Sequence, residues 1–404
     1  MSLPAPALVA GALPPVRLLA GRARRVAAGH PWVFANEIDM ARAKGRIEPG
    51  SLVLIEDDNG RAVGIATFNP HPLIAARLLT RDAGATIDAD FLAARLARAL
   101  AVREALYAVP YYRLVHAEAD GLPGAIVDRF GDTVVLQLNT AGMERLVEPL
   151  VAALDRVLAP RAIVLRNDTA VRELEGLDQY VRVVRGDGGG PIEVLENGCT
   201  FFADVAGGQK TGWFYDQRHN RAFAAALARG RRVADFYTFA GGFAVAAAVA
   251  GAAHVDAFDR SQPALDLAAR AAVASGVDGR VATHKAETFT TLERLAREGT
   301  RYGLVIVDPP AFVKSKKDFH AGVRGYRKLA RLAAAVVEPG GFLLAASCSH
   351  HVDPETFADQ VRRGLADARR DGRILRSAGA APDHPVHPYL PESAYLKALV
   401  LQLD

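Results

Sequence analysis

The spacing of apolar and polar positions changes rhythm three times along the 404 residues. Between 14 and 80, apolar or alternating runs of strand length occur at 16–19, 51–55 and 62–68. The turn formers Glu48-Pro49-Gly50 and Asp57-Asp58-Asn59-Gly60 separate them. The second turn joins two strand candidates and predicts a hairpin, so this part reads as a small β-barrel module. From 88 to 109 the period becomes helical, with Phe91, Leu92, Leu96, Leu100 and Leu106 on one face and arginines between them. Strands at 124–128 and 133–139, a helix over 143–158 and a strand at 162–166 follow.

Gly186-Asp187-Gly188-Gly189-Gly190-Pro191 is the most flexible stretch and the predicted domain boundary, with a hairpin at 192–204 after it. Beyond Gly230 the rhythm is strand, glycine turn, helix. Strands are predicted at 232–237, 254–258, 304–307 and 341–347, and helices after Gly241-Gly242, at 262–275 and at 325–337. That alternation predicts an α/β doubly wound, largely parallel sheet. The expected domains are 1–82, 83–190 and 191–404, the middle one α+β.

Composition narrows the function classes. Half of the residues are hydrophobic and 23% are charged, which supports a large core and excludes global disorder. No run of eighteen apolar residues occurs, and Met1–Pro6 lacks the basic start and long apolar core of a signal peptide. The two cysteines, Cys199 and Cys348, make neither a disulfide framework nor a metal-ligand pattern. Cys199 reads as structural, in a hairpin strand. A cytoplasmic protein without metal is expected. The net charge of +4 says little, but its distribution says more. Residues 1–50 hold seven Arg/Lys against three acids, and three of only eight lysines are Lys314, Lys316 and Lys317. Charge concentrated in this way can form a phosphate-binding footprint or a solvated face.

Three segments carry chemistry. In Asp235-Phe236-Tyr237-Thr238-Phe239-Ala240-Gly241-Gly242 a strand ends and a helix opens, and glycines let backbone amides approach a ligand. The next strand ends in Asp259, followed by Arg260, where a carboxylate can accept hydrogen bonds from ribose hydroxyls. The glycines do not follow G-x-G-x-x-G, which weakens a dinucleotide reading. Asp308-Pro309-Pro310-Ala311-Phe312 places an acid on a stiff turn at a strand's end, with Phe312 available to stack. Cys348 follows a further strand. A thiolate adding to C6 of a cytosine would make C5 nucleophilic, and an acid near N3 would neutralise the charge that develops. His350 and His351 read as loop residues.

These segments resemble the S-adenosylmethionine-dependent 23S rRNA (cytosine-5)-methyltransferases of bacteria, and the likeness covers almost the whole chain. Gly29-His30-Pro31-Trp32-Val33-Phe34 is similar to the family's PUA signature. Glu196-Asn197-Gly198 and the string from Gly208 through Asp216 to Arg221 are similar to the segment that covers the cofactor. Arg324-Gly325-Tyr326-Arg327-Lys328, Asp383-His384-Pro385 and Tyr395-Leu396-Lys397 are further family-like strings. The resemblance implies an N-terminal PUA domain that binds RNA, a middle domain and a Rossmann-like catalytic domain.

It also implies that Cys348 attacks C6 and Asp308 contacts the cytosine edge. Asp259 and Arg260 would lie at the cofactor ribose, and Asp235, Phe239, Ala240, Gly241 and Gly242 at its methionine part. Glu287 stands where the family usually has an aspartate near the adenine. Pro309, Phe312, Lys314 and Lys316 would meet the RNA. Ala311 stands where other RNA cytosine-5 methyltransferases carry a second cysteine, so release by a second thiol is excluded and the general base is not identified.

The implied partners are S-adenosylmethionine and 23S rRNA or a large-subunit assembly intermediate, with no membrane and with a homodimer left open. Three alternatives stay open: a guanine-N7 methyltransferase, which needs no thiol; a non-catalytic RNA-binding or ribosome-assembly protein; and a small-molecule methyltransferase, for which the basic N-terminal module has no task.

Overall fold

A computed structural model describes residues 13–208 and 211–404, which form two compact units. The first holds the described residues up to Gly190 together with those of Asp204–Gly212 and Asp383–Pro391. The second holds Pro191–Ala203, Trp213–Pro382 and Glu392–Asp404. The strings Met1–Pro6 and Gln209-Lys210 lie outside the described residues.

The first unit contains two five-stranded sheets. In the N-terminal one, the predicted hairpin forms: Ser51–Glu56 pairs antiparallel with Ala62–Phe68. Asp57 Oδ1 ties the turn by accepting from Asn59 N (2.9 Å) and Arg61 N (2.8 Å). The short strand Trp32–Phe34 and the strand Ile74–Thr80 complete this sheet and were not anticipated. In the second sheet, Tyr111–His116, Ala125–Phe130, Thr133–Leu138, Ala162–Asn167 and Tyr180–Arg185 lie in chain order. The helix Ala89–Leu106 starts at Asp88, whose carboxylate accepts from Asp90 N and Phe91 N. The string Asp383-His384-Pro385 has a structural task here. Buried Asp383 accepts from Arg113 N (3.0 Å) and from the His384 ring (2.9 Å).

The second unit is built on a seven-stranded sheet. Its strands are β1 (Arg232–Phe236), β2 (His254–Asp259), β3 (Val281–Lys285), β4 (Tyr302–Val307), β5 (Val337–Ser347), β6 (Gly372–Ala378) and β7 (Lys397–Leu403). Their spatial order is β3-β2-β1-β4-β5-β7-β6. The first five are parallel and β7 runs antiparallel to both neighbours. The helices are α1 (Arg218–Ala228), α2 (Gly242–Val249), α3 (Gln262–Ala274), α4 (Thr288–Arg297), α5 (Phe319–Ala335) and α6 (Pro354–Asp367).

The central strand β4 is buried along its whole length, all six residues of it, as a sheet strand covered by helices on both faces must be. Strand order reverses at β1, between β2 and β4. Ligands of open α/β sheets bind beyond the carboxyl ends at such a point. Upstream, Pro191–Glu196 and Cys199–Asp204 form a two-stranded sheet whose Asn197-Gly198 corner has φ of 52° and 76°, the geometry of a tight hairpin turn. Cys199 is buried in its second strand, and burial pushes its thiol up to about 11.

Candidate active site

The carboxyl ends of β1, β2, β4 and β5 bring the singled-out segments together. Between β1 and α2 the backbone takes positive φ at Tyr237 (63°), Phe239 (51°) and Gly241 (81°). Only the glycine does so freely, so neighbouring bonds must hold the other two. Phe239 N donates to Asp259 Oδ2 (3.0 Å), Thr238 N to Phe258 O (3.0 Å), and Gly241 N to Thr238 O (2.9 Å). The other oxygen of Asp259 accepts from Ser261 N (2.9 Å), so this carboxylate both ends β2 and pins the neighbouring turn.

Asp235 sits beneath the same turn, fully buried. Its Oδ2 accepts from Thr238 Oγ1 (2.6 Å) and Ala244 N (3.0 Å), while Oδ1 has no partner among the described residues. Burial, with Asp308 and Asp259 adding negative charge, pushes its carboxyl up to about 7.

Ala240 is buried within the turn. Gly242 opens α2 against Arg221 and Trp213: a Cβ there would lie 3.0 Å from Arg221 Cδ. Arg221 itself is committed to Glu196, with Nε and Nη2 at 2.6 and 2.9 Å from its two oxygens, and its guanidinium stacks 4.7 Å from the Trp213 ring. Asp216 is buried and accepts from the Tyr395 hydroxyl (2.5 Å). Glu287 caps α4, accepting from Thr290 N (2.8 Å). Although burial opposes its charge, these cap hydrogen bonds and nearby Arg260 hold its carboxyl below the usual range. Arg260 is exposed.

Asp308 follows β4 and half-buried Cys348 follows β5, on adjacent parallel strands. The two turns meet: Cys348 Sγ lies 3.9 Å from the carbonyl oxygen of buried Pro309. A hydroxyl pair beneath them fixes that approach. Ser349 Oγ accepts from Val313 N (3.1 Å) and lies 2.8 Å from the Tyr326 hydroxyl, which accepts from Phe312 N (3.4 Å). Phe312 packs on Tyr326, with ring centroids 4.8 Å apart. With Phe289, Lys314, Asp318 and the α5 glycines Gly322 and Gly325, it lines an open cleft of about 390 Å³. Lys314, Lys316 and Lys317 are exposed.

Tyr326, Ser349, Lys397 and Glu196 are the site-forming residues that reasoning from sequence did not assign. Tyr326, Lys397 and Glu196 lie in the family-like strings and Ser349 adjoins Cys348, but the contacts that place them reach partners 22 to 48 residues away.

Among the described residues there is no group of three or more His, Cys, Asp or Glu that could hold a metal, and no helix long and apolar enough to cross a membrane. A sequence model of the S-adenosylmethionine-dependent methyltransferases matches residues 174–402, and one of the PUA-like domain matches 16–81. The ribosomal RNA large subunit methyltransferase I of Shewanella denitrificans is 36% identical over 393 residues, which is 96% of this chain and 99% of that protein. The protein of that name from Erwinia tasmaniensis is 35% identical, over 96% of this chain and 98% of its own length.

Among solved structures, a protein of Streptococcus mutans described as a S-adenosylmethionine-dependent methyltransferase superposes with a TM-score of 0.80 at 18% identity, over 96% of this chain and 100% of that one. A methyltransferase complexed with S-adenosylhomocysteine reaches 0.82 at 19%, with the same coverage. At such identities these two speak for the fold: a Rossmann-like catalytic unit behind a PUA-like N-terminal domain. The cofactor is S-adenosylmethionine, and the chain belongs to the S-adenosylmethionine-dependent methyltransferases, in the family of the ribosomal RNA large subunit methyltransferase I proteins.

Proposed function

We propose that this enzyme methylates carbon 5 of a cytosine in 23S rRNA through a covalent adduct between Cys348 and C6. The observation that carries the reading is the meeting of the Cys348 thiol with the Asp308-Pro309-Pro310 turn, at 3.9 Å, beside the pinned turn of β1.

The residues around that turn fit S-adenosylmethionine. Buried Asp235 keeps an acceptor oxygen without a partner among the described residues, suited to the ligand's ammonium, and Asp259 presents a carboxylate for ribose hydroxyls. Phe239, Ala240, Gly241 and Gly242 would line the methionine part, Glu287 and Arg260 the adenosine end, and Asp216 and Arg221 the covering segment. When bound, S-adenosylmethionine supplies an electrophilic methyl group.

Cys348 adds as thiolate to C6, which breaks the ring's aromaticity and leaves C5 nucleophilic. Asp308 hydrogen-bonds the N3 edge and neutralises the charge that develops there. After methyl transfer a base removes the C5 proton, and the C6–S bond breaks to return the thiolate. The target base must leave any stack to reach Cys348. Pro309 and Phe312 would border it. Lys314, Lys316 and the N-terminal PUA-like domain would hold phosphates.

We further read 1–82, 83–190 and 191–404 as the functional division of a cytoplasmic enzyme whose substrate is 23S rRNA or a large-subunit assembly intermediate.

The test is nucleoside mass spectrometry of unmodified 23S rRNA incubated with S-adenosylmethionine and wild type or Cys348→Ala. New 5-methylcytosine with wild type alone is the expected result. 7-Methylguanine unaffected by the substitution would make the thiol structural and overturn the reading.

A further inference from the structure

Lys397 opens β7 and is only 6% exposed. A buried ammonium needs acceptors, and its Nζ has two: Ser349 O at 2.6 Å and Tyr395 O at 2.7 Å. Both are backbone carbonyls, which solvate the charge without neutralising it. Among the described residues no carboxylate lies within ion-pair distance of it.

Its place relative to Cys348 is set by sheet register. Lys397 is the cross-strand partner of Ser347, and its ammonium is held by Ser349, so the nucleophile lies between the lysine's two attachment points. The other titratable groups around Lys397 are committed elsewhere, while the carboxylate of Asp308 stands on the turn that meets Cys348. Asp353 caps α6 through Thr356 N (2.7 Å), Tyr326 bonds Ser349, and the Tyr395 hydroxyl bonds Asp216, while exposed His350 packs on the Tyr395 ring. Resting on the reading of Cys348 as nucleophile, we propose that Lys397 is a positioning residue whose buried ammonium supplies the counter-charge for the Cys348 thiolate.

Burial pushes the Lys397 amine down to about 8, with Cys348 and Asp353 pulling it back up. The charge is therefore present below about pH 8, in the range where an ordinary cysteine, with a pKa of about 8.5, is mostly thiol.

The test is the pH profile of iodoacetamide alkylation, read on the Cys348 peptide by mass spectrometry, in wild type, Lys397→Gln and Lys397→Arg. Glutamine can still donate to the two carbonyls but carries no charge. Its midpoint should rise by about one unit or more, a loss of about tenfold in alkylation rate at pH 7, while S-adenosylhomocysteine binding stays at the wild-type level. Arginine should restore the wild-type profile. A glutamine profile that coincides with wild type would overturn the proposal.

Should the glutamine variant not fold, the reciprocal effect decides. In a 13C-lysine NMR titration, made tractable by only eight lysines, Cys348→Ser should lower the Lys397 midpoint, and an unchanged midpoint would sink the idea. Neither readout depends on product formation. Loss of the cytosine-5 reading would appear in the nucleoside assay, and loss of the lysine's role only here.

Discussion

Cys348 and Asp259 sit at the ends of different strands and should fail in different ways. Cys348→Ala should abolish methyl transfer and leave S-adenosylhomocysteine affinity unchanged in calorimetry. Asp259→Ala removes a charged acceptor, which costs about 1.5–3 kcal/mol, and should weaken that affinity roughly 10- to 100-fold. Equal losses in both variants would contradict the division. Glu196 makes a different kind of claim. Its carboxylate is the shared counter-charge of buried Arg218 and Arg221. Glu196→Ala should cost about 3–5 kcal/mol in denaturant unfolding, because it leaves buried guanidinium charge uncompensated. A loss below about 1 kcal/mol would show that the arginines find water instead. Cys348, Asp308 and Asp259 were legible as candidates because each stands at the end of a recognisable strand. Lys397 and Ser349 were not, because nothing local in their strings says which turn they hold.

At the scale of elements, the β1–α2 turn stores its own pH response. The folded state keeps the Asp235 proton up to about pH 7, whereas the unfolded chain loses it near the ordinary 3.8. This group's contribution to stability is therefore complete below 3.8, declines as pH rises, and is gone above about 7. Thermal melts of cofactor-free protein should show Asp235→Asn gaining on wild type between pH 4 and 7, with parallel curves above that. Curves parallel throughout would contradict the raised carboxyl.

β1, β2 and α3 differ by a residue at most from the periodicity reading, while β4 and β5 end where predicted but begin two and four residues earlier. α5 departs further. It begins at Phe319, six residues before the predicted start, and passes through Gly322 and Gly325. Those glycines read locally as helix breakers. In the fold they admit the Asp308–Val313 loop: a Cβ at Gly322 would clash with Val313, and one at Gly325 would come within 3.0 Å of the Phe312 ring. β3 was missed because its half-exposed Val281-Ala282-Thr283-His284-Lys285 has no continuous apolar run.

At the scale of the molecule, a net charge of +4 leaves RNA affinity to local clusters. Binding to 23S rRNA fragments should weaken as salt rises. Lys314→Ala and Lys316→Ala should each reduce the slope of log affinity against log salt by about one, uniformly across RNA sequences. An unchanged slope would mean that the loop does not touch phosphate.

The sequence alone determined the strand, turn and helix rhythm around β1, β2, β4 and β5, the stiff Asp-Pro-Pro turn, the hairpin at 192–204 and the positions of the acid and the thiol at strand ends. All of these follow from periodicity and from backbone chemistry within a few residues. Tertiary structure alone decided which strand ends are neighbours. The order β1-β4-β5-β7 brings Asp308 to Cys348 across 40 residues and sets Lys397, from a strand near the end of the chain, opposite Ser347. Cross-strand hydrogen bonding accepts any apolar strand as partner, so pairing is settled by burying the whole sheet between its helices, and no local pattern encodes it.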